Sequence, residues 1–160
     1  MQIEVGARVL ILTMIVSLNV SDTYLSHEIQ DSCYTYGEEY NICPELLMAI
    51  IEHESSGEQY ASNKGCKGLM QINTKWHKDR MERLGVTDIY DIDGNIHVGA
   101  DYLAELFEKY EDVAVVLAVY HGEKNATTKT SMSGYTKSIL ECTEELERMH
   151  EYEEYTIGFE

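Results

Sequence analysis

A proline followed by an apolar stripe of helical period constrains this chain more than any other feature. Pro44 suits the first position of a helix, where its missing N–H would have no partner anyway. Cys43, Leu47, Ile50 and Ile51 recur at i, i+4, i+7 and i+8, the spacing of one helical face. Three residues further along that stripe stands Glu54, while Glu45 and Glu52 lie on other faces. The pattern therefore predicts a carboxyl group on the core-facing side of the last helical turn. Burial disfavours the charged form and predicts a raised pKa. A carboxylic acid that keeps its proton near neutral pH can act as a general acid. Periodicity alone equally allows a helix-end Glu that frays into water.

Beyond Glu54 the composition turns polar, with Ser55, Ser56, Gly57, Ser62, Asn63, Lys64 and Gly65. That is loop chemistry. Gly68-Leu69-Met70-Gln71-Ile72 follows. Gly68 permits close backbone approach, Leu69 and Ile72 read as core, and Gln71 is the polar member. Met70 is a packing residue on ordinary expectation. Asn73 or Thr74 can cap a helix running to about Leu84, with Gly85 as its stop. Trp76, the single tryptophan, reads as core or half-buried, with sugar stacking as the alternative.

The remaining elements are helical. His27 to Tyr40 predicts a first helix with Gly37 as a weak point. Asp88 to Asn95 superficially suggests a calcium loop, but Ile89 and Ala100 fall where an EF-hand needs its first Asp and closing Glu. A turn feeding a helix N-cap explains those residues better. Ile96, Gly99, Ala100, Leu103, Leu106, Phe107 and Tyr110 form the next stripe, with Gly99 suggesting close helix packing. Val113 to Tyr120 is the most apolar segment and is expected to be central. Tyr135, Ile139, Cys142, Leu146 and Met149 mark a last long helix.

Glu54-Ser55, then Gly68-Leu69-Met70-Gln71, then Asn95-Ile96-x-x-Gly99-x-x-Tyr102-Leu103, resemble the motifs of the soluble lytic transglycosylase (SLT) family of the lysozyme-like superfamily. The likeness spans roughly Cys33 to Met149. It implies a mostly α, lysozyme-like helical domain with a substrate groove. It further implies cleavage of the β-1,4 bond between N-acetylmuramic acid and N-acetylglucosamine in peptidoglycan. Glu54 would protonate the leaving oxygen and then accept the proton of the muramoyl C6 hydroxyl, closing a 1,6-anhydro ring. Ser55, Met70, Gln71, Tyr120, His121 and Tyr135 fall at the family's substrate-side positions, Tyr135 being the hydroxyl that would hydrogen-bond the acid. The family's third motif reads Ala-Tyr-Asn, then Gly; here Val119 replaces Ala and His121 replaces Asn. A His there donates and accepts differently, and titrates. Two other functions stay open. A hydrolytic muramidase of goose-lysozyme type would need a second carboxylate, for which Glu52, Glu58 and Asp101 are candidates. A non-catalytic peptidoglycan-binding module is the reading from another class.

The chain has 160 residues, enough for one domain with a real core. Its formal net charge of −17 argues against nucleic acid and against anionic surfaces. Val9 to Val16 is an apolar run of signal-peptide length, too short for a comfortable membrane span, so residues 1–21 are expected to be a signal peptide or short anchor. Residues 27–150 would form the domain, and 151–160 an acidic, solvated tail. The expectation is an exported, envelope-associated monomer acting on peptidoglycan strands, within wall remodelling or a secretion, conjugation or phage assembly, with no metal or cofactor. Cys33, Cys43, Cys66 and Cys142 permit two disulfides in three pairings or remain free thiols. There is no CxxC pair, GxGxxG or Walker loop, HExxH or GxSxG elbow.

Overall fold

The computed structural model describes residues 25–128 and 131–157, with side chains through residue 150. The expected export segment lies outside the described residues. Six helices are present among them: α1 (His27–Tyr40), α2 (Pro44–Ser55), α3 (Lys78–Leu84), α4 (Ile92–Lys109), α5 (Val113–Tyr120) and α6 (Gly134–Ile157). The mostly α expectation holds. α6 runs on to Ile157, so the backbone of the acidic tail continues the helix through that residue.

α2 is the central helix. Pro44 begins it, and Leu46 through Ile51 are all buried, a broader apolar face than the stripe alone predicts. The reason is that α1 and α6 both pack against it. Gly37 of α1 is no weak point. A Cβ there would lie 2.8 Å from the Ile42 carbonyl oxygen and 2.9 Å from Pro44 Cγ, so glycine lets α1 meet the start of α2.

α1 and α4 run side by side in the same direction, joined by a polar ladder with a four-residue period on each. The Ser32 hydroxyl donates to Asp93 Oδ1 (3.2 Å) and Tyr36 OH to Asp93 Oδ2 (2.6 Å). The Tyr36 ring stacks on His97 at 4.3 Å, His97 Nε2 meets Tyr40 OH at 3.0 Å, and Tyr40 OH donates to Asp101 Oδ1. Arg83 forks onto both Asp101 oxygens, and Arg80 joins it. Partial burial pushes the Asp101 carboxyl up, but the hydrogen bonds and charges of the two arginines outweigh it and hold it below its ordinary value. Asp101, a candidate second acid, is thus occupied by structure.

The loop expected from Ser55 to Gly65 ends in strand and turn, and residues 62–73 are more ordered than the sequence suggests. They form a small antiparallel sheet, β1 (Ser62–Asn63), β2 (Cys66–Lys67) and β3 (Ile72–Asn73), paired Ser62 with Lys67 and Cys66 with Asn73. Lys64 and Gly65 both take positive φ, the geometry of a tight two-residue hairpin turn. Because β3 holds Asn73, α3 starts at Lys78 rather than at the expected cap, and ends at Gly85 with φ 71° as predicted.

One buried side chain fastens this sheet to the helices. Asn95 has no exposed surface. Its Oδ1 accepts from the Met70 N–H (2.8 Å), and its Nδ2 donates to the carbonyls of Ile89 (2.7 Å) and Lys67 (3.1 Å). A Cβ on Gly68, whose φ is +74°, would fall 2.1 Å from that Nδ2. Asn95→Ala strands three backbone groups, two of them buried and each of those costing about 1–3 kcal/mol. The expected loss is about 3 kcal/mol or more, a melting temperature lower by roughly 6–12 °C, checked by thermal unfolding of the variant beside the native chain.

Candidate active site

The polar cluster sits where α2, α5 and α6 meet. Glu54 lies in the last turn of α2, its side chain only 15% exposed. Tyr135, in the first turn of α6, donates its hydroxyl to Glu54 Oε1 at 2.6 Å. Burial, then the Glu54 carboxylate beside it, pushes the Tyr135 phenol far above its ordinary value. Tyr135 therefore stays protonated and serves Glu54 as a fixed donor. His121, the C-cap of α5, lies flat on the Tyr135 ring, centroids 3.8 Å apart at 19°, with Nδ1 3.7 Å from the same Oε1. His53 meets the Tyr135 ring edge-on at 4.8 Å.

Tyr120 closes the group from α5. Its hydroxyl donates to the Met70 carbonyl at 2.9 Å, and burial, then the charge of Glu54, raises its pKa well above the ordinary value. Gln71 takes a positive φ of 48° and donates from Nε2 to the carbonyls of Gly68 (2.9 Å) and Ala61 (3.3 Å), bracing the loop. The Ser55 hydroxyl turns back onto its own helix, donating to the Ile51 carbonyl at 3.1 Å. So Glu54, Tyr135 and His121 are in mutual contact and Tyr120 is within reach of their charge.

Met70 is a correction. Its side chain is fully buried against α4, where a Cβ on Gly99 would come within 2.2 Å of the Met70 sulfur. Gly99 makes room for that thioether, so the side chain belongs to the core and only the carbonyl serves the site. Trp76 is the opposite correction: it is 79% exposed. It stands in the turn before α3, flanked by Thr74, Lys75, His77 and Lys78, with no apolar stripe to draw it inward. That polar flank was the signal available in the sequence.

Trp76 lines a cleft of about 520 Å³ with His77, Arg80 and Tyr102. Tyr102 links it to the acid's surroundings, its ring 4.5 Å from His77 and 5.5 Å from Tyr120. Burial, then the Arg80 charge, holds His77 below its ordinary pKa and so neutral at pH 7. The rings of His77, Tyr102 and Tyr120 thus follow one another from the cleft to a phenol on which the Glu54 charge acts. Of the other carboxylates suggested by sequence, Glu52 accepts from Cys142 on α6 and Glu58 is exposed. Glu123, not among those suggested, is close enough for its charge to act on Tyr135. All four cysteines are free thiols. Among the described residues no cluster of His, Cys, Asp and Glu fits a metal ion, and no helix is long and apolar enough to cross a membrane.

Glu54, held by Tyr135 at the end of the central helix, lies in a fold of six helices and one small sheet among the described residues, the mostly α build of a lysozyme-like domain. Residues 32–142 match the transglycosylase SLT domain family, and the chain belongs to that family. It is 38% identical over 101 residues to a transglycosylase of Enterobacteria phage PRD1, covering 62% of this chain and 36% of the phage protein. It is 37% identical over 70 residues to membrane-bound lytic murein transglycosylase F of Desulfosudis oleivorans, covering 43% of this chain and 14% of that protein. Protein IpgF of Shigella sonnei is 31% identical over 111 residues, covering 64% and 72%. The chain therefore spans little more than a third of the phage relative and a seventh of the Desulfosudis one.

Because Trp76 is the sole tryptophan and faces solvent, its fluorescence reports on the cleft alone. Native protein should emit near the wavelength of free indole in water and be quenched readily by acrylamide. A blue-shifted, protected emission would mean that Trp76 packs inside.

Proposed function

We propose that the chain is a lytic transglycosylase that cleaves the β-1,4 bond between N-acetylmuramic acid and N-acetylglucosamine in peptidoglycan. The observation that carries the reading is the Tyr135 hydroxyl on Glu54, in a chain of the transglycosylase SLT domain family with relatives named as transglycosylases in the phage and in Desulfosudis. Tyr135 orients one carboxyl oxygen and leaves the other for the substrate.

Glu54, protonated, gives its proton to the glycosidic oxygen as the C1–O4 bond breaks. The C6 hydroxyl of the muramoyl residue then attacks C1, and Glu54 takes the proton that this hydroxyl loses. The product carries a 1,6-anhydro ring, no water is consumed, and the enzyme regains its starting protonation. Positive charge grows at C1 in the transition state. Glu54, once ionised, is the nearest counter-charge. The Trp76 and Tyr102 rings offer apolar faces for the sugars of the distal glycan, with neutral His77 between them. Export through residues 1–21 would bring the chain to the cell envelope, where this substrate lies.

Hydrolysis by water, in the manner of a muramidase, is the second reading. It needs a second carboxylate as base for water, and Glu123, whose charge reaches Tyr135, is the candidate for that role.

The test is digestion of purified peptidoglycan by the full chain, with mass spectrometry of the fragments. Ends of 1,6-anhydro-muramic acid are expected, and Glu54→Gln should reduce their release by about 100-fold or more. Reducing ends one water heavier would replace transglycosylation by hydrolysis and turn attention to Glu123. Binding without fragments from either protein would make the domain a wall-binding module. Tyr135→Phe removes one hydrogen bond to a charged group, worth about 1.5–3 kcal/mol. It should therefore lower kcat/KM by roughly 10–100-fold, with the fold intact by circular dichroism.

A further inference from the structure

His121 stands where the resemblance leads one to expect Asn, and its surroundings are specific. The imidazole is held flat on Tyr135, with Nδ1 3.7 Å from the Glu54 oxygen that Tyr135 also binds. At that distance it is an ion-pair partner rather than a hydrogen-bond donor in place. The side chain is 46% exposed, so water can reach the ring and exchange its proton. Two features favour its charged form. One is the Glu54 carboxylate. The other is its own position as C-cap of α5, the negative end of a helix dipole. The Tyr135 π-face beneath the ring adds to both.

We infer that His121 is a positioning residue whose imidazolium competes with Glu54 for the catalytic proton and so sets the upper pH limit of cleavage. This rests on Glu54 being the general acid. The logic is one of proton sharing between coupled sites. With two protons on the pair, Glu54 is protonated and the site is productive. With one proton, imidazole is the stronger base of the two. The proton then rests on His121, and Glu54 is an anion that cannot protonate the leaving oxygen. An amide at 121 carries no charge, so Glu54 would keep its proton to higher pH. The other titratable groups facing the pair are His53 beside Tyr135 from α2, Tyr135 from α6, and Tyr120 and Glu123 from α5 and the turn after it. The two phenols keep their protons through neutral pH. Glu123 acts on Tyr135 in both native and substituted chains, as does His53.

The first test needs no activity. NMR titration of the His121 ring in the full chain should show its pKa fall by about half to one unit in Glu54→Gln, because removing a nearby opposite charge weakens the charged form. An unchanged His121 titration would overturn the inference whatever the enzyme does. The second is the pH dependence of kcat/KM on peptidoglycan. His121→Asn and His121→Gln should both move the high-pH fall-off upward by about one unit. The difference from native should shrink as salt is raised, since the pair is partly exposed. Equal losses at every pH, with the midpoint fixed, would mean that His121 only shapes the site. Should Glu54→Gln still cleave at the native rate, the assignment of the acid itself fails, and this inference with it. Should Glu54→Gln be inactive while the native and His121→Asn midpoints coincide, only the role of His121 falls.

Discussion

The buried amide of Asn95 is the contact on which the geometry of the site depends. It joins three backbone groups that belong to different parts of the chain: Met70, Lys67 and Ile89. Gly68 makes the approach feasible, because any side chain there would occupy the space of the amide. Once Met70 is fixed through its N–H, its carbonyl is fixed too, and that carbonyl accepts the Tyr120 hydroxyl. The sheet, α4 and α5 are therefore registered to one another through a single side chain. A polar group in so dry a place is tolerated because its amide is engaged on both sides.

The acid is held from another direction. α2 is sandwiched between α1 and α6, so its last turn cannot move independently of Tyr135 on α6. Glu54 is on the rim of the core rather than inside it, buried enough for Tyr135 to hold one oxygen and open enough to reach a substrate. The parallel ladder of α1 and α4 keeps the opposite side rigid. There Asp101 is engaged by Tyr40, Arg80 and Arg83, which leaves it no part in acid chemistry. Carboxylates that look equivalent in a list of residues are thus divided by their partners into structural and chemical groups.

Much of the helical architecture was legible from local chemistry. The bounds of α1 and α5, Pro44 at the start of α2, Gly85 at the end of α3 and a capping turn ahead of α4 follow from the polar-apolar pattern and from cap preferences. Where local reading went astray, the deciding contact was distant in sequence. The resemblance put Met70 at the groove against the ordinary expectation of packing, and Gly99 on α4 opens the hole that takes its side chain. Trp76 was expected to be core or half-buried, yet among the described residues it stands 79% exposed in its turn. The hairpin at Lys64-Gly65 was hidden in a polar stretch because strands of two residues have no periodicity to read.

The sequence by itself determined most of the helices and the family, because these depend on spacing along one segment or on motifs that survive as strings of letters; it left the direction of Glu54 open. Only the tertiary structure decided that His121 lies against the Tyr135–Glu54 pair that the resemblance implies. Tyr135 is 81 residues away along the chain, and the stacking of His121 on it requires α5 and α6 to have met. Contacts of that kind depend on how helices pack, which is set by the volumes of many side chains together and not by the pattern within any one of them.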